Sequence, residues 1–151
     1  MRYSTAEPFP QTITDMFRRC AAHLYKQNER AETALGDGCK YRMDDCELAC
    51  PIGACIPDSA YDSDMDEGSN TCASEVMANF QESLGLHELA DETFYALRLF
   101  ANEIQEIHDH SKILDWRGEL TELADKHEID PAILNEAWPL TSDDIPSGIY
   151  D

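Results

Sequence analysis

The stretch QTITDMFRRCAAHLYKQNER, residues 11–30, decides the fold class. Within it Ile13, Met16, Phe17, Cys20, Ala21 and Leu24 recur at the i, i+3, i+4, i+7 spacing that gathers apolar side chains into one stripe of an α-helix. Such a stripe has to be buried, so the remainder of the chain must supply elements to cover it. Thr12 with Asp15 three residues on has the form of a capping box that starts the helix. Arg18, Arg19, Lys26 and Arg30 largely fall off the stripe. Their positive charge is expected on one exposed face, where acidic side chains of the same chain, or of a second copy in a homodimer, could pair with it.

Further along the chain the helical period returns. Val76, Met77, Phe80 and Leu84 predict a helix over 73–84, with Gly85 as its C-terminal cap. Phe94, Leu97, Ala101, Ile104 and His108 predict a longer helix over 88–109, and Trp116, Leu120, Leu123 and Ala124 predict one over 116–127. Asp130-Pro131 pairs an N-cap carboxylate with proline at the first helical position, Ile133, Leu134 and Trp138 give that helix its apolar side, and Pro139 stops it. Between the first helix and these, Gly36-Asp37-Gly38 breaks the pattern. The alternation from Cys39 to Met43, the turn residues Asp44-Asp45 and a return from Cys46 to Ala49 predict a small β-hairpin near residues 39–49. The apolar run from Ile52 to Ile56 reads as a short helix ending before Pro57. The fold class is therefore mainly α, of α+β type: a bundle-like domain of four to five helices over residues 1–140 with one hairpin, then an acidic, loosely held tail over 141–151. Tyr41, Cys50, Ile52, Ile56, Phe80, Leu97, Ile104 and Trp116 are the expected core.

Charge narrows the function classes. The chain has 151 residues and a formal net charge of −20, unevenly distributed. Residues 1–42 carry a net +2, whereas Met43 to Leu97 hold 13 Asp and Glu and no Lys or Arg, and only four basic residues follow Arg42. A charge so far from zero costs stability through self-repulsion and calls for a reason in solubility, salt adaptation or a cationic partner. Direct binding to nucleic acid is disfavoured, because neutralising phosphates takes Lys and Arg, and anionic membranes are disfavoured on the same ground. The sequence has no run of about 18 apolar residues and no signal-peptide pattern at its start, so a soluble protein made in the cytoplasm is expected.

Three sets of residues could carry chemistry. The acidic loop over 58–71 contains Asp62, Asp64, Asp66 and Glu67, but counting Asp62 as the first position of a calcium loop puts Glu67 where glycine belongs and Ala73 where the bidentate Glu belongs. On the predicted helices, Glu103 and Glu106, then Glu119, Glu122 and Asp125, are spaced by three, which sets neighbouring carboxylates about 5–6 Å apart. Duplex DNA carries a comparable density of negative charge, so such a stripe suits a face that occupies a DNA-binding groove, although most acidic helix faces are simply solvated. Cys39, Cys46, Cys50 and Cys55 crowd 17 residues at spacings near those of zinc ligands, and Cys72 could complete a set, yet there is no CxxC knuckle. Buried thiols are the ordinary alternative to zinc. No histidine is tied by a motif to a cysteine that it could activate, and an acidic setting raises a thiol's pKa. His108 and His110, flanking Asp109, read as side chains that cap a helix end. No catalytic set is found.

Read together, Gly38-Cys39-x-Tyr41-Arg42, the segment Cys50-x-x-Gly53-x-x-Ile56-Pro57-Asp58-x-x-Tyr61, then Ile107-His108-Asp109 and Trp116 resemble a group of small uncharacterised proteins encoded by tailed phages and prophages. That group shares an N-terminal amphipathic helix, both cysteine segments and a helical C-terminal half, and the resemblance spans roughly residues 12–130. This chain departs from it at Asp44-Asp45-Cys46, where the group tends to have a glycine turn, and at Pro51, which stands in place of a small residue. The resemblance implies a phage context and no particular reaction. In that context a small acidic protein without a catalytic motif is expected to be a non-enzymatic inhibitor in the host bacterial cytoplasm. It would bind a basic host protein, a defence or nucleic-acid enzyme, through a DNA-mimicking face made from the loop and helix carboxylates. The alternative expectation is a small structural domain stabilised by zinc on the cysteines.

Overall fold

The computed structural model describes residues 5–27, 50–62, 65 and 73–139. Among the described residues the regular elements are six α-helices and a 3-10 turn: α1 (Ile13–Gln27), α2 (Pro51–Cys55), α3 (Ala73–Asn79), α4 (Asp91–His110), the 3-10 turn Ile113–Asp115, α5 (Trp116–Lys126) and α6 (Pro131–Ala137). The mainly α expectation is met. The hairpin near 39–49 lies outside the described residues, as do the tail over 141–151 and Tyr41, and there is no strand among the described residues. The structure thus gives the β element no support, and the expected four to five helices become six among the described residues.

α1 forms where its stripe predicts. The Asp15 amide donates to Thr12 Oγ1 at 3.1 Å, and Met16, Phe17, Cys20, Ala21 and Leu24 are buried. α1 packs against α2, α4, α5 and α6, while α4 packs against α1, α2, α3 and α5, so these two helices hold the rest together. Phe17 and Phe100 meet at the α1–α4 contact with ring centroids 6.4 Å apart, and Tyr25 meets Trp138 of the α6 end at 5.5 Å. Of the expected core, Cys50, Ile52, Ile56, Leu97, Ile104 and Trp116 are buried, and Phe80 packs against the core while partly exposed.

Helix ends follow their local chemistry. α3 stops at Asn79, earlier than its apolar spacing predicts, because the next residues form single turns that keep the same period: the Phe80 amide donates to Val76 O, and Leu84 to Phe80 O. Gly85, at φ +74°, closes these turns; its amide donates to Glu82 O and that of Leu86 to Gln81 O, the paired bonds of a Schellman motif. α5 ends with the same pair, from Glu128 to Asp125 O and from Ile129 to Ala124 O, but with Glu128 rather than glycine at φ +56°. Asp130 caps α6 by accepting from the Ala132 amide at 3.0 Å.

The basic side chains of α1 do not all face solvent. The Arg19 side chain is only 8% exposed; it donates to Pro8 O and Cys55 O and lies 3.5 Å from the Glu7 carboxylate, tying the N-terminal segment to the end of α2. Arg18 pairs with Asp15 one turn back. The expected single positive face is therefore partly spent inside the fold. No helix among the described residues is long and apolar enough to cross a membrane.

Candidate functional site

The helix pairing that brings α4 beside α5 decides where the predicted carboxylates go. α4 ends at His110, the chain turns through 111–115, and α5 runs back along it. Between them lies an open groove of about 370 Å³ whose walls carry Glu103, Glu106, Glu119 and Glu122, with Ile107 and Leu123 as its apolar floor and His110 and Lys126 at its rim. Two pairs of glutamates, each set by an i, i+3 spacing, have become one four-carboxylate surface.

The four are not equivalent. Glu103 accepts hydrogen bonds from Lys126 Nζ and, at 2.8 Å, from His127 Nε2. Burial by itself would raise the Glu103 pKa, but those two donors outweigh it and hold the carboxyl below its ordinary value. His127 is braced in turn, edge-on to Phe100 at 4.9 Å. Glu106, Glu119 and Glu122 make no ion pair among the described residues. The groove therefore presents three uncompensated carboxylates beside one that is neutralised within the fold. Such a surface accepts hydrogen bonds and attracts ammonium or guanidinium groups.

The other predicted acidic residues lie elsewhere. Asp125 is exposed on α5 but does not line the groove, and Asp62 is exposed in the turn after Tyr61. Asp64, Asp66 and Glu67 lie outside the described residues.

Of the cysteines proposed for zinc, Cys39 and Cys46 lie outside the described residues, as does Cys72, while Cys50 and Cys55 are fully buried. The neighbour of Cys55 is a residue that the zinc reading omitted: Cys20 of α1, with the two sulfurs 3.6 Å apart and Cys20 also 3.5 Å from Pro51 O. Its burial, then the Cys55 thiol and the neighbouring Cys50, push the Cys20 pKa well above the ordinary thiol value. Cys20 was visible in the sequence as part of the α1 stripe, but nothing there connects it to a residue 35 positions on. Among the described residues no three His, Cys, Asp or Glu side chains are grouped to hold a metal ion.

Of the motifs behind the phage resemblance, Gly38 to Arg42 lies outside the described residues, and the segment from Cys50 to Tyr61 is used for packing. Ile52, Cys55 and Ile56 enter the core, the Asp58 carboxylate accepts from the Thr5 amide at 3.1 Å, and the Asp58 amide donates back to Thr5 O. His108 is fully buried, stacked on Trp116 at 5.7 Å with Nδ1 2.8 Å from the Asp109 carboxylate, so it belongs to the interior and not to an exposed helix cap. No protein-family model matches this chain, and neither the curated proteins nor the solved structures contain a match to it.

Proposed function

We propose that this chain is a non-enzymatic interaction protein of phage origin. It acts in the cytoplasm of an infected bacterium by binding and inhibiting a basic host protein, a defence or nucleic-acid enzyme. Its carboxylates occupy the surface that would otherwise take a nucleic-acid backbone. The observation that carries the reading is the α4–α5 groove, where Glu106, Glu119 and Glu122 stand together without ion-pair partners among the described residues. Keeping like charges adjacent costs free energy through repulsion, and a cationic partner relieves it. The overall charge of −20 would also steer such a partner from a distance, giving fast, salt-sensitive association.

The test is capture from bacterial lysate at low ionic strength, with the intact chain and the charge-neutral variant E106Q/E119Q/E122Q as paired baits. The proposal expects a basic protein retained by the first, lost with the second and released by salt, whose nucleic-acid binding falls when the chain is added. Equal capture by both baits, or no specific capture by either, removes the reading.

A further inference from the structure

Three large apolar side chains are conspicuously exposed among the described residues, and two of them share one helix: Tyr95 at 55% and Leu99 at 49%, both on α4, with Leu114 on the following 3-10 turn. At about 100° and 1.5 Å per residue, Tyr95, Leu99, Glu106 and His110 fall within an arc of about 60° and along about 22 Å of α4. The uncovered apolar pair therefore lies on the same face as the groove, two turns before Glu106.

Charge decides what can cover that face. Nucleic acid and anionic lipid are repelled by a chain of −20, and a second copy of this chain would bring the same carboxylates against their counterparts. We infer that the α4 face from Tyr95 to His110 is a docking site for a basic amphipathic helix of a partner protein, its apolar side chains on Tyr95 and Leu99 and its Lys or Arg side chains in the Glu106–Glu119–Glu122 groove. This rests on the interaction-protein reading and adds to it the face used and the shape of the partner. An apolar anchor of aromatic and aliphatic side chains with a charged surround is the usual energetic layout of a helix-in-groove contact.

The probe is a pair of 16-residue peptides of identical composition. One places two apolar residues at i, i+4 and Lys or Arg seven residues further along the same helical face; the other has those residues shuffled off a common face. Fluorescence anisotropy with the full chain, at low and moderate salt, should show the amphipathic peptide binding at least tenfold more tightly than the shuffled one. Y95S/L99S should abolish that preference and leave the shuffled peptide unaffected, whereas E106Q/E119Q/E122Q should weaken both and flatten the salt dependence. L99K, a single exposed change, serves the same purpose should the double variant lose helicity by circular dichroism.

Equal, salt-sensitive binding of both peptides, unchanged by Y95S/L99S or L99K, overturns the docking site while leaving the wider acidic reading standing. Absence of binding by either peptide at low salt overturns the docking site, and lysate capture then decides the wider reading by itself. A homodimer dissolved by Y95S/L99S in sedimentation analysis also overturns it, since the face would then be covered by a second copy.

Discussion

Replacing Glu103 by Gln leaves Lys126 and His127 facing a neutral amide, and the cost follows from how exposed each partner is. The Lys126 side chain is 66% exposed, so its share is that of a surface pair, about 0.2–1 kcal/mol. The His127 and Glu103 side chains are 22% and 28% exposed, and their bond is charge-assisted but still screened, which is worth about 1 kcal/mol. E103Q should thus lower unfolding free energy by about 1–2 kcal/mol at pH 7, read as a shift in urea midpoint by far-UV circular dichroism. Because the folded-state pKa of Glu103 is lowered, the stabilisation is complete above the unfolded value of about 4.3 and is lost as pH falls through the folded value. The gap between wild type and E103Q should persist at pH 5 and narrow steadily as the pH is taken below about 4.3. Coincident midpoints at pH 7, or a gap that does not narrow as the pH falls below about 4.3, would refute the account of Glu103 as a doubly bonded carboxylate.

Leu120 is fully buried, and L120A should cost about 2–5 kcal/mol by the same denaturation assay; a loss under 1 kcal/mol would mean that α5 is not packed as described. E128G should stabilise by about 0.5 kcal/mol, since the left-handed conformation at φ +56° burdens a residue with a Cβ by about 1–2 kcal/mol, partly offset by the extra freedom of unfolded glycine; a destabilised variant contradicts this. D130A should cost about 1 kcal/mol through loss of the α6 cap, seen as a lower thermal midpoint. Cys20, Cys50 and Cys55 should resist alkylation in the native protein and react once it is denatured, with peptide mass mapping to separate them from the other three thiols; rapid native labelling of Cys20 would be inconsistent with its burial and raised pKa.

Local chemistry made much of this architecture legible. The α1 stripe and the Asp130-Pro131 start each lie in a few consecutive residues and are used as read, while Gly85 makes its expected cap at the end of single turns rather than of α3 itself. The over-long third helix arose because the isolated turns at 80–85 preserve helical spacing without continuing the helix, so periodicity alone could not separate them. For the site, the i, i+3 spacing identified both glutamate pairs, but not that the turn at 111–115 would fold α5 back onto α4 and join them. Nor could it show that Lys126 and His127, 23 and 24 residues away, would neutralise Glu103 alone. The Cys20–Cys55 contact escaped for the same reason, being a product of how α1 and α2 pack. Tyr95 and Leu99 fall opposite the apolar stripe of their helix, so periodicity already places them off the core; that no other element covers them is seen only in the packed structure.

Among the described residues α4 packs against α1, α2, α3 and α5. An element held from so many sides opens only when most of the fold opens, so its central amides should be among the slowest to exchange with solvent, whereas the short α6 should exchange through local fraying. Glu106 and the aromatic anchor on the outer face of α4 are thus mounted on a helix braced from several sides, with Glu119 and Glu122 on α5 packed beside it. For a partner helix of the kind proposed, little of the contact energy would then be consumed in ordering this side of the interface.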